Sequence, residues 1–317
     1  MNKPTRVAVV GVGYLGKIHA KIYAAMENVE LVAVVDTDRA AARQTAQEYG
    51  CEALFQASDL AGKIDAVSIV VPTSVHLEVA REFLATGVHT MLEKPVAPTV
   101  QESREIVDLA RQGGAILQIG HLERFNAGVM KLAELSSNPR FIEVHRLGKF
   151  VERATDVDVV TDLMIHDIDI VLSLIESSLS SISATGSKVI TDHVDIANAR
   201  LEFENGAVAN VTASRVSRSQ FRRIRVFAQN RYLGLNFADQ QLEEVKPGKV
   251  LAGSRFPELV DEIIEVVPQL PLNAELADFI DCIENNRRPL VAGEDGLVAV
   301  EVAEMVRQKI AESMNKQ

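Results

Sequence analysis

The stretch VAVVGVGYLGKIHA, residues 7–20, restricts what this chain can fold into more than any other. It opens as a short apolar strand and closes as a helix. Between the two, Gly11, Gly13 and Gly16 stand in the spacing G-x-G-x-x-G. Gly11 permits the tight turn, Gly13 lets the backbone approach a pyrophosphate, and Gly16 lets the helix pack close to the strand. The first turn of that helix offers unpaired amides and a partial positive charge to the phosphates. Three glycines alone are weak evidence, but the next strand, LVAVVD, ends on Asp36, 20 residues beyond Gly16. A carboxylate there accepts hydrogen bonds from ribose hydroxyls and repels a 2′-phosphate, so NAD is favoured over NADP. Arg39 is near enough in sequence to soften that preference.

The rest of the first 120 residues repeats the same alternation. Strand-like runs at 6–10, 31–36, 66–71, 89–92 and 115–119 are separated by helical patterns at 15–26, 38–49, 73–85 and 99–111. The last helix opens with Thr99-Val100-Gln101-Glu102, a capping box. Continuous apolar strands alternating with helices imply a parallel sheet covered on both faces. After about residue 120, apolar–polar alternation takes over, as in FIEVHRLG and AVANVTASRVS, and Asn205-Gly206 marks a hairpin. A helical segment near 162–176 interrupts this half, and two helices, near 273–284 and 295–312, close the chain. The expected fold is α/β: an N-terminal Rossmann domain over 1–120, then an α/β domain over 121–317 with a large, mostly antiparallel sheet. The helices from about 273 are expected to pack back on the first domain.

Composition narrows the function classes. A formal net charge of −11 disfavours nucleic acid and anionic lipid as partners. Cys51 and Cys282 lack metal-type spacing, which points to free thiols in a reducing compartment. With no secretory h-region and no apolar run of about 20 residues, the expectation is a cytoplasmic protein.

In a doubly wound sheet, ligands lie beyond the C-terminal ends of the strands. The glycine loop, Asp36, Pro72-Thr73 and Glu93-Lys94 all fall there, and Pro95 biases Lys94 towards an extended backbone. Downstream, Asp162, His166 and Asp169 have the spacing i, i+4, i+7 of one helix face, with Leu163, Ile170 and Leu174 flanking it against the core. A lone helical histidine is usually structural; one a turn from an aspartate, accompanied by a separate lysine motif, reads as catalytic. Metal binding by Asp–His–Asp is the other reading, disfavoured for lack of further ligands.

Taken together, the glycine loop, VVPTSVH at 70–76, EKP at 93–95 and DLMIH at 162–166 resemble the Gfo/Idh/MocA oxidoreductases over essentially the whole chain. The resemblance implies hydride transfer between NAD(P) and a sugar or cyclitol, and a homo-oligomer built through the open sheet of the second domain. It implies cofactor contacts from Gly11, Gly13, Tyr14, Leu15, Gly16, Asp36, Pro72, Thr73, His76, Glu93 and Lys94. In the chemistry it implies, His166 is the general base, Lys94 stabilises the developing alkoxide, and Asp162 orients His166 or binds a neighbouring hydroxyl. The strings GHLERFN at 120–126 and DVDVVTDLMIHDIDIV at 156–171 are similar to members that oxidise C3 of UDP-N-acetylglucosamine, ahead of amination for lipid A. For such a substrate Arg124, Arg153 and Arg215 are candidate diphosphate ligands, and Asn126 is a candidate for a sugar hydroxyl. The run from Arg215 to Arg231 carries six arginines, both ends included; most of them read as a solvated sheet face or a subunit contact. An inositol or free-sugar dehydrogenase, a redox-neutral NAD-dependent glycosidase and a non-catalytic NAD-binding regulator remain alternatives.

Overall fold

The computed structural model describes residues 3–152 and 157–315. They form two compact units, Met1–Leu122 with Leu272–Val300, and Glu123–Pro271 with Glu301–Gln317.

The first unit is built on a six-stranded parallel sheet of β1 (Thr5–Val10), β2 (Val29–Val35), β3 (Glu52–Leu54), β4 (Ala66–Ile69), β5 (His89–Glu93) and β6 (Leu117–Gly120). Its spatial order is β3-β2-β1-β4-β5-β6, so the winding reverses between β1 and β4, beside the glycine loop. The connecting helices are α1 (Tyr14–Ala24), α2 (Arg39–Tyr49), α3 (His76–Leu84) and α4 (Val100–Gly113). Strands as apolar as β1 are buried on both faces, and Val7, Ala8 and Val9 are wholly covered. After the second unit's strands, α7 (Pro271–Asn285) lays Leu276, Phe279 and Ile280 into the same cluster as Val7, Val9, Met91 and Tyr23. Burying a side chain such as Phe279 stabilises by about 1.5–3 kcal/mol. Thr99 caps α4 as its sequence implies, accepting from the Glu102 amide at 3.2 Å, while Glu102 meets the Thr99 hydroxyl at 2.7 Å.

Two local departures follow from competing chemistry. The short β3 has too few apolar residues to signal a strand; it forms because Ala33–Val35 leave an edge to pair with. The helix foreseen from Thr73 starts with a 3₁₀ turn at Thr73–Val75, because Pro72 lies just before it and α3 proper begins at His76.

The second unit holds an eight-stranded sheet: β7 (Phe141–Leu147), β8 (Leu179–Ser187), β9 (Ile196–Phe203), β10 (Val208–Ser214), β11 (Phe221–Ala228), β12 (Arg231–Asn236), β13 (Gln241–Val250) and β14 (Pro257–Ile264). The order is β14-β13-β12-β11-β7-β10-β9-β8; only β7 and β10 pair in parallel. Gly206, at φ +79°, turns β9 into β10 as the Asn-Gly pair implies. Along β7, Ile142, Val144 and Arg146 point to the buried side, where α5 (Ala127–Leu135) and α6 (Ile165–Leu174) lie on the sheet. The last helix, α8 (Gly293–Met314), begins in the first unit's residues and ends in the second's.

The segment carrying Asp162 and His166 departs from the regular helix that its spacing implies. Val160–Met164 form a π-helical turn, closed by the Ile165 amide on the Val160 carbonyl, and α6 begins only at Ile165. One residue is thereby absorbed, so the i, i+4, i+7 stripe is no longer a single α-helical face. Asp169 turns inward with Ile170 and Leu174, whereas Leu163 stays half-buried.

Candidate active site

In the first unit, the glycines are required by what surrounds them. Gly11 has φ +89°, and a Cβ there would come within 2.3 Å of the Val70 carbonyl oxygen. A Cβ on Gly16 would come within 1.8 Å of the Gly11 carbonyl oxygen, because α1 starts directly against the end of β1. Gly13 is different: nothing lies within 4 Å of its would-be Cβ. That open space, ahead of the free amides of α1, is what a pyrophosphate needs, so these residues fit a dinucleotide. Tyr14 is 86% exposed at the helix start, and Leu15 is half-buried behind it.

Asp36 sits just past the end of β2. One of its oxygens accepts from the Val12 amide at 2.7 Å, the other from the Asp38 amide at 2.8 Å. Each oxygen keeps lone-pair capacity for a further donor. The Arg39 guanidinium lies over the Phe55 ring, 4.8 Å from its centroid.

The rim between β4 and β5 is tied together by His76. Buried, it places Nε2 3.0 Å from the Val71 carbonyl and Nδ1 3.1 Å from the carbonyls of Pro95 and Val96. Burial pushes its pKa down, and the carbonyls oppose this only in part. Pro72 and Thr73 occupy the span that His76 anchors, and the Lys94–Pro95 bond at its other end is cis.

Glu93 does not extend outward beside Lys94. Its Oε1 lies 3.3 Å from Nε2 of His19, whose Nδ1 meets the Ser68 hydroxyl at 2.8 Å. Beside them, Glu275 of α7 is fully buried; its backbone carbonyl accepts from Gln118 at 2.8 Å, and none of the described residues hydrogen-bonds its carboxyl oxygens. Burial, then the charges of Glu93 and Asp278, push the Glu275 pKa well up, which favours its protonated form.

In the second unit, Asn126 caps α5: its Oδ1 accepts from Gly128 at 3.0 Å and its amide donates to the Phe237 carbonyl at 3.3 Å. Arg124 approaches Asp169 at 3.4 Å. Arg215 is buried, donates to the Val157 carbonyl at 2.5 Å and lies 3.7 Å from Asp195. Asp162 and His166, both half-buried, stand on either side of the junction between the π turn and α6. Arg153 lies outside the described residues. Of the arginines along β11 and β12, Arg223, Arg225 and Arg231 pair with Glu243, Glu143 and Glu244. Among the described residues no group of three or more His, Cys, Asp or Glu gathers to hold a metal, and no helix is long and apolar enough to cross a membrane.

Sequence reasoning missed the polar set His19–Ser68–Glu93–Glu275 and the buried ion pair of Arg146 with Asp167. The second left a trace. In FIEVHRL, strand alternation puts Arg146 on the face of Ile142 and Val144, and a charge at a core position demands a partner. The first left only Glu93, a charge at the end of a core strand, because His19 and Glu275 reach it from separate helices.

A glycine loop between β1 and α1 with an aspartate just past β2, followed by a second unit built on a large mixed sheet, is the build of two-domain oxidoreductases that bind a dinucleotide. Residues 5–121 match the family described as "Oxidoreductase family, NAD-binding Rossmann fold", and residues 131–233 match the GFO/IDH/MocA C-terminal domain. The chain belongs to the Gfo/Idh/MocA oxidoreductase family. It is 36% identical to the UDP-N-acetylglucosamine 3-dehydrogenase of Acidithiobacillus ferrooxidans, over 95% of this chain and 96% of that one. The solved structure of that enzyme superposes with a TM-score of 0.90 at 34% identity, covering 98% of each chain. The inositol 2-dehydrogenase of Rhizobium meliloti is 27% identical, over 97% of each chain.

Proposed function

We propose that this protein oxidises the C3 hydroxyl of UDP-N-acetylglucosamine to a ketone, with NAD as the acceptor. The observation that carries this reading is the end-to-end similarity, at 36% identity, to an enzyme of that name, against 27% for the inositol dehydrogenase. Bound NAD supplies the hydride acceptor at its nicotinamide. NAD is preferred over NADP because Asp36 is fixed by two backbone amides where a 2′-phosphate would need a cation, and Arg39 is engaged with Phe55.

In this reading His166 takes the hydroxyl proton of the sugar, and Lys94 donates a hydrogen bond to the same oxygen as negative charge develops. Asp162 accepts from a neighbouring hydroxyl or orients His166. His76 acts on the cofactor rim through the carbonyls that it spans, holding the Pro72–Thr73 loop and the Lys94–Pro95 turn in register. The product, a 3-keto sugar, suits amination to a 3-amino sugar of the lipid A type, which would place the enzyme in the cytoplasm. A homo-oligomer through the open face of the second sheet is supported by the aromatic group Phe141, Phe227 and Tyr232 on that face, together with Leu259 and Ile263, which are 72% and 68% exposed.

The test is NADH formation measured against UDP-N-acetylglucosamine, inositols and free sugars. Substantial turnover only with the nucleotide sugar is expected; turnover confined to an inositol or a free sugar would replace the substrate, and sugar release without NADH would replace the reaction. His166→Asn and Lys94→Ala are each expected to lower kcat by about 10²–10⁴-fold. Near-normal turnover in both would remove them from the chemistry.

A further inference from the structure

Residues 157–169 carry both Asp162 and His166, and four arginines from four separate places in the second unit hold this segment. Arg215, just past β10, donates to the Val157 carbonyl at 2.5 Å. Arg307, on α8, pairs with Oδ2 of Asp158 at 3.0 Å, while Oδ1 of Asp158 accepts from the amides of Val160 and Thr161 at 2.9 Å. Arg124, in the turn before α5, approaches Asp169 at 3.4 Å. Arg146, on β7, forms the closest set: three hydrogen bonds to the Asp167 carboxylate, at 2.7, 2.9 and 3.1 Å, and one to Glu123 at 2.8 Å.

The Arg146–Asp167 pair is also the most deeply buried, with side chains 4% and 0% exposed. Burying an ion pair adds little net stability, since desolvation consumes most of the attraction; apolar residues of equal volume often serve as well or better. A forked, two-pronged pair does supply direction, because a planar guanidinium and a planar carboxylate meet in few orientations. Here direction matters. A π turn is a poorly determined start for a helix, and the rotation of α6 about its axis decides where His166 points. Asp167 is the next residue after His166, so fixing one fixes the other.

We propose that Arg146 and Asp167 are positioning residues for His166, acting by locking the rotation of α6 against the sheet. This rests on the assignment of His166 as the proton acceptor. The charged and titratable groups around Asp167 are Arg146 and His145 from β7, Glu123 from the turn before α5, and Arg222 from β11.

Two variants test this. Asp167→Asn keeps the size and one acceptor oxygen for Arg146 but removes the charge. Arg146→Met with Asp167→Leu replaces the pair by apolar side chains of similar volume. Both are expected to fold, the double variant with a melting temperature within a few degrees of wild type. Each should lose kcat about tenfold or more while KM for the sugar changes less than about threefold. The second readout is the His166 titration, followed by NMR on histidine-labelled enzyme with NAD bound. In Asp167→Asn its midpoint should move down, since a neighbouring negative charge is gone. A folded variant with wild-type kcat, whatever its His166 titration, would overturn the proposal; if one variant does not fold, the other decides. Failure of the functional reading would look different. The wild-type enzyme would then make no NADH from UDP-N-acetylglucosamine, while kcat of the variants on whichever sugar the wild type oxidises would still report on the lock.

Discussion

The two units build their sites from different materials. The first uses backbone: glycines that admit carbonyls and phosphates, amides that fix Asp36, and carbonyls spanned by His76. The second uses side chains: Asp158, Asp167, Asp169 and Asp195 are each met by an arginine from a distant element. Backbone sites fail when sterics are violated, and side-chain sites fail when a charge is stranded. Substitutions should therefore be all-or-none where a Cβ has no room, as at Gly16, and graded where a charge or a hydrogen bond is lost.

The largest effect should be Gly16→Ala. Its Cβ would overlap the Gly11 carbonyl at 1.8 Å, so α1 must leave the end of β1. Loss of NAD binding by about 100-fold or more, or an insoluble chain, is expected. Gly13→Ala, with open space at the same atom, should keep its melting temperature and weaken only NAD, as read by fluorescence titration of the nucleotide. If both variants behave alike, the steric account of the loop is wrong.

Next in size is Asp36→Ala. It removes the acceptors of two loop amides along with those proposed for the ribose, so the NAD dissociation constant should rise by about tenfold. The ratio of NADP to NAD activity should rise with it. An unchanged ratio would show that Asp36 does not set the cofactor preference.

Acid separates the units more gently. Burial pushes His76 and His89 below the usual 6.5, so the unfolded chain takes up their protons first. Their contribution to the first unit is whole above pH about 6.5 and declines as pH falls from there towards the folded values. In the second unit, burial raises the Asp195 carboxyl, but the amides of Thr191, Ile190 and Val189 outweigh it and hold it far below 3.8. That contribution stays intact until pH falls below about 4. His145, also lowered by burial, is one histidine of the same behaviour in the second unit, against two in the first. Hydrogen exchange at pH 7 and 5.5 should therefore show protection falling more in the first unit. Equal losses would contradict this.

The smallest effect should come from Glu275→Gln. A buried carboxyl with a raised pKa binds a proton that the unfolded chain gives up, so its penalty grows as pH rises above about 4.5. The variant should gain a few degrees in melting temperature at pH 8, about 2–4 °C per kcal/mol recovered, and nothing at pH 4. A gain of the same size at both values would assign the effect to packing instead.

How much was legible in advance follows the same division. The strand–helix alternation of the first unit apart from β3, the glycine loop, the acid at the end of β2 and the hairpin at Gly206 were readable, because each depends on residues close in sequence. The π turn was not. Its spacing imitates an α-helix, and what holds it comes from β7, β10 and α8. Glu93 was readable as an unusual charge at the end of a strand, but its direction was not, since His19 approaches from α1.

The sequence by itself determined the two sheets, the phosphate loop and the identity of the groups available for chemistry, since periodicity and turn residues act over a few positions. Only the tertiary structure decided that the Asn126 amide meets the Phe237 carbonyl, that Arg215 holds a carbonyl, and that Arg146 faces Asp167. A charged side chain taken out of water must find its complement wherever the fold supplies one, and that place is not written next to it in the chain.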